Sequence, residues 1–320
     1  MNASAPIGVT LVGGFLGAGK TTLVNHILRH DPRRRIGVLV NDFGAINIDA
    51  DLIAAREGDA IRLTNGCLCC GVGDSLSRAL IEMLAQSVRP GHLLIEASGV
   101  AEPWRIAELI GAAHEFAPPT TLVVVDGSRI EVQLADRYIG DLARSQIESA
   151  DLLVLNKMDL VAATTQAALV GRMHDAWPLK HLAITIQGRI DLERLAVIPR
   201  PSRFHASRPP VVAAADRFVG LRFVTKVPFS APRLDAAMAA MPPWIFRLKG
   251  IVRLAGEETP QNLQFTPARW SLTALTHRSS SPTSRIVAIA RHDYADDDTL
   301  DRLLTTALIQ PREAGVWSAG

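Results

Sequence analysis

Eight consecutive residues, Gly14-Phe15-Leu16-Gly17-Ala18-Gly19-Lys20-Thr21, have the GxxxxGK[ST] spacing of a loop that cradles phosphate. Glycines at those positions let backbone N–H groups turn inward around an anion, and a helix starting there adds the positive end of its dipole. Lys20 reaches the β- and γ-phosphates of a nucleoside triphosphate, and the Thr21 hydroxyl is placed to ligate magnesium. The cradle is assigned to Gly14, Gly17, Ala18, Gly19, Lys20, Thr21 and Thr22. An apolar strand before the motif and an amphipathic helix after it supply the context that a chance Gly-rich turn would lack. Further along, Leu93-Leu94-Ile95-Glu96-Ala97-Ser98-Gly99 ends an apolar run on an acid, with a glycine three positions later. That pairing suits a carboxylate on the magnesium side and a backbone N–H at Gly99 for the γ-phosphate. Glu96 is longer than the Asp common at such positions, so it either acts through a water or reaches past the metal.

The base is addressed by a second motif. Asn156-Lys157-Met158-Asp159 follows the apolar run 152–155 and resembles the NKxD loop that selects guanine. A carboxylate at Asp159 accepts from both guanine N1–H and the exocyclic 2-amino group, whereas adenine presents an acceptor at N1 and no 2-amino group. A carboxylate left unpaired in the site is costly, so ATP is discriminated against. Asn156, Lys157 and Asp159 are therefore assigned to nucleotide binding. Asp126, at the end of Val123-Val124-Val125, is a further strand-end acid, read as structural or helix-capping.

All three cysteines of the chain fall within four positions, at Cys67, Cys69 and Cys70 in Asn65-Gly66-Cys67-Leu68-Cys69-Cys70-Gly71. An odd, clustered set does not make a disulfide framework and leaves metal binding or thiol chemistry. In an extended chain Cys70 would face away from Cys67 and Cys69; the flanking Asn-Gly and Gly71 predict a turn that lets the three sulfurs converge. Three thiolates are soft ligands suited to zinc or Cu(I), with one tetrahedral position left open, as a transfer site requires. The competing reading is a loop lined by small buried cysteines without metal.

These groups need a scaffold that brings distant loops to one edge. Short apolar runs at 9–12, 36–40, 60–63, 93–95, 121–125, 152–155 and 181–186 alternate with helical patterns at 21–29, 74–86, 102–110, 141–149 and 162–175. This alternation predicts an α/β fold, a P-loop NTPase with a mostly parallel sheet flanked by helices. A Pro- and Arg-rich stretch at 198–211 marks a linker, and the divisions are drawn at 1–197, 198–212 and 213–320. Beyond it the predicted order is strand 218–226, helix 231–241, strand 245–254, strand-like runs 263–265 and 270–276, strand 285–290 and helix 297–308, a smaller α+β domain on an antiparallel sheet. Across 320 residues, 34 Lys and Arg face 32 Asp and Glu, a net charge of +2 that argues against an electrostatic grip on nucleic acid. Arg33, Arg34 and Arg35 read as a short solvated run. The absence of a signal-peptide pattern and of an apolar run long enough to cross a bilayer predicts a cytoplasmic protein, with no membrane partner.

Taken in order, GFLGAGKTT, NDFGAINID, NGCLCC, EASGVAEP and LNKMDL resemble the CobW-like metallochaperone GTPases, relatives of the hydrogenase and urease nickel-insertion GTPases. Pro243-Trp244-Ile245-Phe246-Arg247-Leu248-Lys249-Gly250 and the run 284–290 before a last helix extend the resemblance to a CobW-like C-terminal domain. The resemblance implies GTP-dependent metal handling, commonly of zinc, with cobalt or iron in some branches, and transfer to a client metalloprotein by a monomer or homodimer. It also implies that residues 41–49 act as switch I and that the cysteine segment binds metal close to the nucleotide. The usual NEFGExGID here reads Asn41-Asp42-Phe43-Gly44-Ala45-Ile46-Asn47-Ile48-Asp49, so Asp42 keeps a shortened acid and Ala45 loses one. Asp42 joins Lys20, Thr21 and Glu96 as a candidate catalytic residue. No His-rich tract accompanies the linker, which holds only His205; His114 is a possible fourth ligand, although a loop histidine is more often solvated. Slow intrinsic turnover is expected, since no arginine finger is assignable. Trp244 to Gly250 and the last helix are candidate client surfaces. Two rivals remain: a P-loop kinase or ATPase, separated by competition of GTP against ATP, and a regulator that binds GTP and metal with negligible turnover. Cobalt handling in cobalamin biosynthesis is a narrower variant.

Overall fold

Long apolar runs that alternate with amphipathic segments have one economical packing, a sheet buried on both faces. The computed structural model describes residues 5–30, 36–40, 60–64, 72–86, 89–192, 217–267, 269–275, 283–294 and 298–309, the side chains of 60–64 and 72–75 excepted. Residues 33–35, the 41–49 segment with Asp42 and Ala45, the cysteine segment with Cys67, Cys69 and Cys70, and the linker with His205 lie outside the described residues. The chain divides into two units: described residues up to 192 fall in the first and those from 217 in the second.

In the first unit the order is β1 (Gly8–Gly13), α1 (Lys20–His30), β2 (Ile36–Val40), β3 (Ala60–Thr64), α2 (Val72–Leu84), β4 (His92–Glu96), α3 (Pro103–Gly111), β5 (Thr120–Asp126), α4 (Ile130–Ala135), α5 (Gly140–Glu148), β6 (Leu152–Asn156), α6 (Ala163–Ala176) and β7 (His181–Ile184). The seven strands form one sheet in the order β3-β2-β4-β1-β5-β6-β7, and every pairing is parallel. Successive residues of each strand serve opposite faces. Val12, Leu94, Val124 and Val154 pack with Leu23, Val24 and Ile27 of α1. Their neighbours Leu11, Leu93 and Ile95 pack with Leu80 and Met83 of α2 and Ile106 and Ile110 of α3. Val123, Leu153 and Leu155 meet Ile147 of α5 and Leu169 and Met173 of α6. Both faces are thus covered. Helix α4 is absent from the sequence expectation because its 6 residues are too short to display a helical period. Strand β7 stops at Ile184, two residues before the expected end, because Gln187 and Gly188 take left-handed backbone angles, φ 53° and 64°.

The second unit contains β8 (Phe218–Thr225), α7 (Ala231–Ala239), β9 (Ile245–Val252), β10 (Gln261–Thr266), β11 (Arg269–Ala274), β12 (Ser284–Arg291) and α8 (Thr299–Thr306). Its strands pair antiparallel in the order β11-β10-β9-β12-β8. Phe223, Leu248, Leu263, Ile286 and Ala288 line one face and bury Leu234 and Met238 of α7 with Leu300 and Leu304 of α8. One expectation is corrected here. The stretch from Trp244 to Gly250 is no client surface: Trp244, Ile245, Leu248, Lys249 and Gly250 are buried, and Trp244 stacks on Tyr294 at 5.0 Å with 3° between ring planes. Phe246 and Arg247 between them are half-buried, and β9 is paired on both edges, by β10 and β12.

Candidate functional site

The phosphate loop is the connection from β1 to α1. Gly14 and Gly19 stand at φ 124° and 110°, a region closed to side chains. A Cβ at Gly14 would lie 2.1 Å from the Val124 carbonyl oxygen, and one at Gly19 would lie 2.3 Å from Asn156 Nδ2. Glycine is therefore required twice, once for the turn and once for close approach of the loop to the base motif. Helix α1 begins at Lys20, so the positive end of its dipole adjoins the loop. Lys20 is 5% exposed, and its ammonium donates to the Phe15 carbonyl at 3.2 Å. That bond holds the cation along the loop.

Glu96 ends β4 beside the end of β1, in register with Val12. It is 2% exposed, and its Oε1 accepts a hydrogen bond from the Thr21 hydroxyl at 2.7 Å. The longer acid thus reaches the Thr21 side chain directly. A hydroxyl and a carboxylate oxygen side by side form a hard donor set that fits magnesium. When bound, that ion would neutralise charge on the β- and γ-phosphates; Thr21 and Glu96 are the residues that would hold it.

Asn156 and Lys157 face the phosphate loop. Asn156 Nδ2 donates to the Ala18 carbonyl at 2.9 Å, while its Oδ1 accepts from the Thr185 hydroxyl at 3.1 Å and the Gly188 N–H at 2.9 Å. Lys157 Nζ donates to the Gly17 carbonyl at 2.5 Å and to Asp126 Oδ2 at 2.6 Å. Asp126 Oδ1 in turn accepts from the Ser128 N–H at 3.1 Å and the Ser128 hydroxyl at 2.6 Å. The acid of β5 therefore steadies the lysine that steadies the loop, in keeping with a structural role. Lys157 itself sits at φ 59°, which reverses the chain into a short 3-10 turn from Met158 to Leu160. Gln166 Nε2 braces that turn through the carbonyls of Met158 (2.9 Å) and Val161 (3.0 Å). Asp159 is exposed on it, open to a base.

Several residues of this network escape a linear reading. The turn of Thr185, Gln187 and Gly188 anchors Asn156; its only local signal is a Gln-Gly pair after a strand. Gln146, Ser145 and Glu102, treated below, are polar residues on buried positions, a pattern that shows only once the buried face of α5 is known. His114 is exposed and sits just before Phe116, which bridges to Ile7 ahead of β1. It therefore lies at the edge where strands begin, and β5 is four strand spacings from β3, roughly 19 Å. The three cysteines lie outside the described residues, so the fourth-ligand reading of His114 stays an expectation from the sequence. Among the described residues, which exclude the three cysteines, no group of three or more His, Cys, Asp or Glu could hold a metal ion. No helix among them is long and apolar enough to cross a membrane.

The glycine loop between β1 and α1, the acid at the end of β4 and the base motif after β6 define a P-loop nucleotide-binding domain on a parallel sheet. The chain belongs to the CobW/HypB/UreG family: residues 8–182 match its nucleotide-binding domain, and residues 218–308 match the cobalamin synthesis protein cobW C-terminal domain. Among similar proteins, the zinc chaperone CobW of a Sinorhizobium species is 34% identical over 189 residues, 49% of this chain and 52% of the relative. The zinc chaperone YjiA of Escherichia coli is 36% identical over 161 residues, 48% of this chain and 50% of the relative. The zinc-regulated GTPase metalloprotein activator 1 of Schizosaccharomyces pombe is 31% identical over 196 residues, 58% of this chain and 47% of the relative. The chain thus spans about half the length of the curated relatives it matches.

Proposed function

We propose that the protein is a cytoplasmic GTP-hydrolysing metallochaperone that carries one zinc ion on Cys67, Cys69 and Cys70 and delivers it to a client metalloprotein. Residues 1–197 form the GTPase domain, 198–212 the linker and 213–320 the CobW-like domain of this reading. Gly14, Gly17, Ala18, Gly19, Lys20, Thr21 and Thr22 hold the phosphates, Gly99 the γ-phosphate and Asp159 the guanine. Asn156 and Lys157 support the loop between them. Asp42 is a catalytic residue of this reading with Lys20, Thr21 and Glu96, and Thr21 and Glu96 hold magnesium. The relatives named for zinc support the choice of cargo.

One observation carries the coupling of metal to nucleotide. Thr64, Val40, Glu96 and Val12 form a single rung across β3, β2, β4 and β1. The segment 41–49 leaves β2 from that rung, and the cysteine segment leaves β3 from it, two strand spacings or roughly 10 Å from the Glu96 backbone. A γ-phosphate that draws on Glu96, Gly99 and residues 41–49 therefore acts next to the root of the cysteine segment. Zinc titration of the wild type and of the Cys67→Ser, Cys69→Ser, Cys70→Ser variant tests the cargo site. About one ion per chain and a loss of at least about a hundredfold in affinity are expected, because hydroxyls do not replace thiolates on a soft-leaning ion. Equal affinity in the two proteins would remove the site.

A further inference from the structure

Helix α5 grips the loop after β4 from more than forty residues downstream. Gln146 is 1% exposed, and its Nε2 donates to the carbonyls of Gly99 at 3.1 Å and Ala101 at 2.8 Å. One position earlier, the Ser145 hydroxyl donates to Glu102 Oε1 at 3.2 Å, and Arg105 pairs with the other oxygen of Glu102 at 2.8 Å. The loop closes on itself through the Ala101 N–H to the Ser98 carbonyl at 3.0 Å. Gly99 also packs against the phosphate loop, where a Cβ would meet Leu16 Cδ2 at 2.4 Å and Leu16 Cα at 2.9 Å.

A primary amide has two N–H donors, and both of those on Gln146 are spent on this loop. A buried amide is costly unless bonded, so an apolar side chain would fill the same space at less risk. The glycine explains the need. The Gly99 N–H assigned to the γ-phosphate shares its peptide plane with the Ser98 carbonyl, which the Ala101 N–H holds at 3.0 Å; glycine leaves that plane free to turn against the next, so its orientation depends on Gln146 holding both Ala101 and the Gly99 carbonyl in place.

We propose that Gln146 is a positioning residue for γ-phosphate recognition: by fixing the Gly99 and Ala101 carbonyls it orients the Gly99 N–H, and so it acts on GTP and not on GDP. Ser145 and Glu102 form a second tether of the same loop. The inference rests on the GTPase reading and on the γ-phosphate role of Gly99.

Gln146→Met keeps the bulk and removes both donors. The full chain is compared with wild type for turnover of GTP and for equilibrium binding of a non-hydrolysable GTP analogue and of GDP. Turnover is expected to fall about tenfold or more, and the ratio of analogue to GDP affinity to fall about tenfold, with GDP affinity within about twofold of wild type. Ser145→Ala shifts the ratio the same way by about threefold, since Arg105 still holds Glu102. Wild-type turnover and ratio in Gln146→Met overturn the inference, as does equal weakening of both nucleotides with a lowered Tm, the mark of a merely structural side chain. Should Gln146→Met fail to fold, Ser145→Ala decides, and an unchanged ratio there overturns it. A wild-type protein that prefers ATP or binds neither nucleotide overturns the parent reading as well; wild-type turnover with an indifferent variant overturns this inference alone.

Discussion

Lys20→Ala lowers affinity for GTP and GDP by at least about a hundredfold in an equilibrium titration. Lys20 is 5% exposed and its ammonium is held by the Phe15 carbonyl at 3.2 Å, so it meets the phosphates with little reorganisation and little competing water. Charge attraction in such a partly desolvated site far exceeds that in bulk water. The loop itself does not depend on this side chain. Gly14 and Gly19 set its turns, and Asn156 and Lys157 hold the Ala18 and Gly17 carbonyls. The variant is therefore expected to fold with a Tm within a few degrees of wild type, which separates loss of the ligand from loss of the fold. Wild-type affinity in Lys20→Ala would remove the phosphate assignment.

Glu96→Gln is the second large effect. The amide oxygen still accepts from the Thr21 hydroxyl, now at 2.7 Å from Oε1, but the negative charge is gone. A neutral amide is a weaker magnesium ligand than a carboxylate, and transition-state charge on the transferred phosphoryl group is neutralised less well. Turnover is expected to fall at least about a hundredfold. The magnesium concentration for half-maximal turnover rises, while GDP affinity without magnesium changes by no more than a few-fold. Unaltered turnover and magnesium dependence would show that Glu96 serves the fold alone.

Elements whose cause is local were legible in the residues. The phosphate loop depends on glycines at fixed offsets, and β1, β2, β4, β5 and β6 on short apolar runs that nothing else accommodates. The supports of the site are non-local and were not. Asn156 reads as a nucleotide contact by its neighbours in sequence, and nothing there shows that its carboxamide also ties Ala18 to Thr185 and Gly188. Gln146 is one more polar residue in an amphipathic helix until the register of α5 places it 1% exposed against Gly99. Trp244, beside two prolines, reads as display, and its burial follows from stacking on Tyr294. Crossover helices return the chain to the edge where strands begin, and the exposed His114 stands there, two residues before the Phe116 bridge to Ile7.

The central claim is that nucleotide and metal occupancy are linked through the rung of Thr64, Val40, Glu96 and Val12. Linkage is reciprocal, so a γ-phosphate that alters the cysteine segment must alter its affinity for metal. The direct measurement is zinc affinity of the full chain, by competition with a chelating dye, in saturating non-hydrolysable GTP analogue with magnesium and again in saturating GDP with magnesium. A difference of about tenfold, roughly 1.4 kcal/mol of coupling, is expected, and it vanishes in Lys20→Ala at nucleotide concentrations that occupy the wild type alone. Equal zinc affinity in the two nucleotide states of the wild type would contradict the account.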